Sequence, residues 1–142
     1  MKLPAFAAFV LAAALTGPGA SADGLSVTDA WSRSTPPGAR VGAVYFTLRN
    51  DTKKSDRLLK LSTPVAEQAE VHRTEVLDGI ARMREVAVLH VDAGQTIVLE
   101  PGGMHLMLVG LRQPLVAGTS YDLDLLFEVA GPRKISVEVR AP

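Results

Sequence analysis

Beyond an apolar N-terminal stretch, the chain breaks into short β-prone runs separated by glycine, proline and polar turns. Val41–Asn50 (VGAVYFTLRN) and Arg57–Ser62 (RLLKLS) read as strands on either side of the polar turn Asp51-Thr52-Lys53-Lys54-Ser55-Asp56. Ala69–Leu77 and Ile80–Val88 flank Asp78-Gly79, a strong signal for a two-residue hairpin turn. Thr96–Leu99 precedes the loop Glu100-Pro101-Gly102-Gly103, and Met104–Leu111, Ser120–Val129 and Lys134–Arg140 follow, with Gly or Pro in each gap. No stretch carries the period of a long amphipathic helix. Short strands at regular spacing predict an all-β domain, an antiparallel β-sandwich or small barrel. There is no repeat, low-complexity tail or linker.

Strand alternation singles out one segment, Met104-His105-Leu106-Met107-Leu108. Leu106 and Leu108 point to one face, toward a core, and His105 and Met107 to the other, roughly 7 Å apart along the strand. A flexible thioether closes that gap and shares one ion with an imidazole. The hairpin supplies a second pair. If Leu77 pairs with Ile80, Thr74 faces Met83 and His72 faces Glu85, so His72 and Met83 are diagonal neighbours on one face, within about 8 Å. A slip of one residue would send them to opposite faces. Each pair alone is ordinary strand decoration.

Composition changes that weighting. The chain opens with Lys2, an apolar run from Pro4 to Thr16, and Gly17-Pro18-Gly19-Ala20-Ser21-Ala22. This order describes a secretory signal peptide over residues 1–22, cleaved after Ala22, with a soluble domain over 23–142. The run of about 13 residues is too short to span a bilayer, which takes about 20. The mature domain is therefore expected to be exported. Cysteine is absent, so there is no disulfide, thiolate ligand or lipid-bearing cysteine to anchor the chain to a membrane. A soft-metal site in an exported chain without thiolates needs thioethers instead. Lys+Arg and Asp+Glu both number 15, and loss of Lys2 leaves a near-neutral domain with no footprint for nucleic acid.

Together the pairs offer two imidazole nitrogens and two thioether sulfurs. That set suits a soft monovalent ion such as Cu(I), is poor for zinc, Mg or Ca, and lacks the cysteine of a blue-copper centre. The spacing from His72 through Met83 and His105 to Met107 is H-x10-M-x21-H-x-M. This resembles the copper-binding motif of the PCuAC family of periplasmic copper chaperones. The flanks resemble that family too: Asp29-Ala30-Trp31-Ser32-Arg33, Thr35-Pro36-Pro37-Gly38, Gly42-Ala43-Val44-Tyr45-Phe46, Asp56-Arg57-Leu58, and Pro101-Gly102-Gly103 leading into His105-Leu106-Met107-Leu108. The resemblance implies a cupredoxin-like Greek-key sandwich and a solvent-accessible site for one Cu(I) per monomer. It also implies delivery toward the binuclear copper centre of cytochrome c oxidase, with the copper-bearing oxidase subunit and Sco-type thiol proteins as partners. Members with a Met- and His-rich C-terminal extension are associated with Cu(II); no such residues follow Met107 up to Arg140-Ala141-Pro142, so a second site is not expected.

His90 fits no motif position and reads as a surface or structural residue. Alternation sends Met104 away from the site face, as a hydrophobic shield at most. Trp31 and Arg33 either line the site or pack at a strand edge. No catalytic triad or phosphate-cradling glycine motif occurs, so a binding protein is expected, not an enzyme. Two alternatives stay open: copper storage or resistance with the same residues, and a metal-free exported β-sandwich acting as a binding module.

Overall fold

The computed structural model describes residues 24–142, all β-strand and loop, so the expected leader peptide lies outside the described residues. The strands are β1 (Leu25–Arg33), β2 (Val41–Asn50), β3 (Asp56–Ser62), β4 (Ala66–Leu77), β5 (Ile80–Glu85), β6 (Leu89–Val91), β7 (Thr96–Leu99), β8 (Met104–Leu111), β9 (Ser120–Phe127) and β10 (Gly131–Arg140). Their pairing order is β5-β4-β8-β2-β1-β10-β9-β3-β6, with β7 also on β2. Every pairing is antiparallel except β1 with β10, which run parallel.

The sheet folds over on itself as a sandwich, because alternate residues of both halves are apolar and meet in one core. Val44, Phe46 and Leu48 of β2, Val71 of β4 and Leu106 and Leu108 of β8 come from one half. Leu58 of β3, Val91 of β6, Leu123, Leu125 and Phe127 of β9 and Val137 and Val139 of β10 come from the other. Fully burying each such side chain contributes about 1.5–3 kcal/mol, so this interleaving drives the fold.

The strands expected at Val41–Asn50, Thr96–Leu99 and Met104–Leu111 form over those residues. Others differ at their ends. The second hairpin arm ends at Glu85, short of Val88, with one further bond in register from the Val86 amide to the Val71 carbonyl at 2.7 Å. The first arm starts earlier, at Ala66, where it pairs with Leu111. The last two strands meet through a tight turn, ending at Phe127 and starting at Gly131, which takes φ +76°. The hydropathy pattern does not mark β1 as a strand, because Asp29 at φ 50° sits at a register shift that interrupts its alternation.

The parallel β1–β10 seam joins the two halves. Ser32, fully buried on β1, bonds the hydroxyl of Tyr121 on β9 across that seam. Burial pushes the Tyr121 hydroxyl up to about 12, and the bond to Ser32 only partly opposes this. An unfolded tyrosine ionises near about 10, so the folded state holds its proton to higher pH. The stability this contributes is complete below about pH 10 and is lost between about pH 10 and 12. The unfolding free energy from urea titrations should fall across that window by up to roughly 2–3 kcal/mol. In Tyr121→Phe this part of the fall should be absent.

Candidate metal centre

The β4–β5 hairpin closes as the sequence suggests. Asp78 and Gly79 take φ of 53° and 73°, the paired positive values of a type I′ turn. Leu77 pairs with Ile80, Thr74 with Met83 and His72 with Glu85. His72 and Met83 are therefore diagonal neighbours on one face. On its other side β4 pairs with β8, with Val71 opposite Leu106, His72 opposite His105 and Glu70 opposite Met107. Val71 and Leu106 lie in the core, so alternation turns His72, His105 and Met107 outward together. The two pairs seen separately in the sequence thus become neighbours. The imidazole centroids are 5.9 Å apart, with planes tilted by 50°.

His105 is outward-facing yet only 7% exposed. The reason lies in how β2 changes partner. Val41–Val44 pair with β8, and Phe46–Arg49 pair with β7. Tyr45 falls at the changeover, where the loop Glu100–Gly103 crosses. That loop is a tight turn, with the Glu100 amide donating to Met104 at 2.9 Å and the Gly103 amide to Glu100 at 3.1 Å. Gly102 turns it at φ +83°, a conformation side chains other than glycine rarely take. The Gly103 carbonyl accepts a bond from His105 Nδ1 at 3.2 Å. The loop thereby fixes the ring and leaves Nε2 as its free donor atom.

An open cavity of about 400 Å³ forms here, walled by Met83, His105 and Met107 with Ala43, Tyr45 and Thr74. Arg33 also lines it. Trp31 does not; it packs on Tyr45 at 4.7 Å between ring centroids and lies under the Arg140 guanidinium. Arg140 is held there by Asp29 at 2.8 Å. Trp31 therefore supports the cavity wall from behind. Met104 packs against the core, opposite to the site. His90 is exposed on β6, paired with Arg57 in another part of the sheet.

His72 adjoins His105 from the β4 side and is not among the residues that line the cavity. Its Nε2 lies 2.9 Å from Glu70 Oε2, and its Nδ1 is buried with no partner in the protein. Leaving such an atom unsatisfied costs about 1–3 kcal/mol. The residues present therefore fit a metal ion: two imidazoles each anchored at one nitrogen, and two thioethers on the same face. Among the described residues no three His, Asp or Glu side chains converge as a site for a harder ion. Sequence reasoning did not single out Glu70 or Tyr45. Glu70 stands two residues before His72 on the same strand face, so strand alternation is the signal that places the two side chains together.

A family model described as "Putative lipoprotein LpqE-like" matches residues 25–139. The chain belongs to the LpqE-like family. A relative, "Putative lipoprotein Lxx21020" of Leifsonia xyli subsp. xyli, is 30% identical over 131 residues, covering 92% of this chain and 78% of that protein. Among solved structures, apo-DR1885 from Deinococcus radiodurans is 29% identical with a TM-score of 0.65, covering 100% of this chain and 96% of that one. The structure titled CuI-DR1885 is 28% identical with a TM-score of 0.66, covering 89% and 81%. The copper-bound PCuAC domain from PmoF2 matches at a TM-score of 0.72 over 84% of this chain and 94% of that one, and its 21% identity speaks for the fold alone. The expected PCuAC resemblance and cupredoxin-like all-β fold are both borne out for this LpqE-like chain.

Met83 is 60% exposed on a strand with every residue exposed, so its position depends on the hairpin turn. A β-branched residue at Gly79 would be forced into the left-handed region, at a cost of about 1–2 kcal/mol. Gly79→Val should speed amide exchange over β5 by about 5–30-fold, while exchange at Val71 and Leu106 stays unchanged. Hydrogen-exchange mass spectrometry or NMR would read both.

Proposed function

We propose that this LpqE-like protein is a copper carrier of the periplasm, holding one Cu(I) through His72, Met83, His105 and Met107. The observation that carries the reading is the pairing of His72 with His105 on the face that also holds both thioethers. Likeness to DR1885, solved in apo and CuI forms, supports it.

The ligands are neutral and soft, which favours Cu(I) over zinc or calcium. Their unequal burial suits a carrier. His105 is enclosed, whereas Met83 stands in solvent at the cavity mouth. An acceptor can displace the exposed thioether first and the imidazoles later, so the ion moves by stepwise exchange without being released to water. Protons compete for the imidazoles, so binding weakens in acid.

The copper is delivered toward the binuclear centre of cytochrome c oxidase, with the copper-bearing oxidase subunit as acceptor and Sco-type thiol proteins as collaborators. Support for this delivery role is the PCuAC resemblance. A deletion strain grown under copper limitation should lose oxidase activity and recover it with added copper; normal activity would remove the delivery role in favour of storage.

The site itself is tested by anaerobic competition with a Cu(I) chelator. The Met83→Ala/Met107→Ala double variant should bind at least about 100-fold more weakly, near 2.7 kcal/mol. Equal competition by variant and parent would sink the assignment. Cu(I), and not Zn(II), should raise the melting temperature of the parent.

A further inference from the structure

The two imidazoles of the site are tied down through different nitrogens. His105 uses Nδ1, toward the Gly103 carbonyl, and His72 uses Nε2, toward Glu70. We propose that Glu70 is a positioning residue that holds His72 as its Nε2–H tautomer, so that His72 meets the metal through Nδ1 while His105 meets it through Nε2. This rests on the reading of both histidines as Cu(I) ligands.

An ionised carboxylate only accepts hydrogen bonds. In the neutral ring, the contact of 2.9 Å between Nε2 and Glu70 Oε2 is attractive only if Nε2 carries the proton. The other tautomer fails twice. It sets the Nε2 lone pair against the carboxylate, and it places an N–H at Nδ1, which is buried with no acceptor. With the proton on Nε2, the one group left unsatisfied is the Nδ1 lone pair, which a soft cation can take.

The placement of Glu70 follows from the strand. It lies two residues before His72 on β4, so both side chains emerge on one face, and β8 sets Met107 opposite it. Glu85 faces His72 directly across the hairpin, yet the ring's bond goes to Glu70. The contact is partly sheltered, with the His72 side chain 15% exposed and that of Glu70 31%. A carboxylate behind a ligating imidazole fixes its orientation and makes it a stronger donor.

The tautomer can be read in the apoprotein, independently of copper. Long-range ¹H–¹⁵N correlation at about pH 8, above the ordinary imidazole range, should show His72 protonated at Nε2 and bare at Nδ1. Glu70→Gln should keep that pattern, because its amide oxygen accepts the same bond. Glu70→Ala should lose it and bind Cu(I) about 10–100-fold more weakly in chelator competition, with the Gln variant within about threefold of the parent. Anaerobic addition of Cu(I) to the parent should shift the His72 Nδ1 resonance and leave the Nε2 proton in place. A proton on Nδ1 in the apoprotein, or an unchanged tautomer in Glu70→Ala, would overturn the role of Glu70. A Cu(I) shift at Nε2 would overturn the Nδ1 assignment. Cu(I) moving neither nitrogen would defeat the ligand reading of His72, and the Nδ1 assignment with it, whatever the apo tautomer.

Discussion

Val71 and Leu106 meet across β4 and β8 inside the core, and that contact forces His72 and His105 together on the outside. Side chains of a strand alternate, so fixing one position of a paired register fixes every other. The buried leucines of β8 set which face is inner, and the imidazoles and Met107 take the other face as a consequence. A slip of one residue in this pairing would bury His105 in the core and expose Leu106. The apolar interior therefore holds the geometry of the candidate site in place.

The hairpin obeys a different constraint. β5 adds nothing to the core, and all its residues are exposed. Its register comes from the turn at Asp78-Gly79 and its pairing with β4. Such a two-stranded extension is held more weakly than the sandwich beneath it. The site thus joins a rigid half, β4 with β8, to a compliant half that carries Met83. The proposed carrier role would use that combination, the firm half keeping the donor atoms organised and the yielding half opening a path for exchange.

The opposite wall is built from the β1–β2 side. Trp31 backs Tyr45, Arg140 covers Trp31, and Asp29 holds Arg140, so a chain of contacts runs from the C-terminal strand to the cavity. The Ser32 bond to Tyr121 ties the same stretch of β1 to the far sheet. The cavity wall is therefore anchored to both halves of the sandwich, and the ring of His105 is enclosed although it faces outward.

Much of this was legible before any coordinates. The strands around Val41, Thr96 and Met104 follow from local composition, and Asp78-Gly79 determined the hairpin register because few dipeptides adopt a type I′ turn. The ligand types followed from chemistry, since a chain without cysteine has only imidazole and thioether for a soft ion. β1 has no clear pattern in the sequence because a register shift at Asp29 breaks its alternation, and the parallel β1–β10 seam has no local signature. By itself, then, the sequence determined which residues could bind and how each pair lies within its own strand or hairpin. Only the tertiary structure decided that the pairs share one site, that His105 is enclosed while Met83 is open, and that Glu70 stands behind His72. The joining of the two pairs depends on the β4–β8 pairing, which links residues far apart in the chain through burial of apolar surface, and no local pattern encodes such a contact.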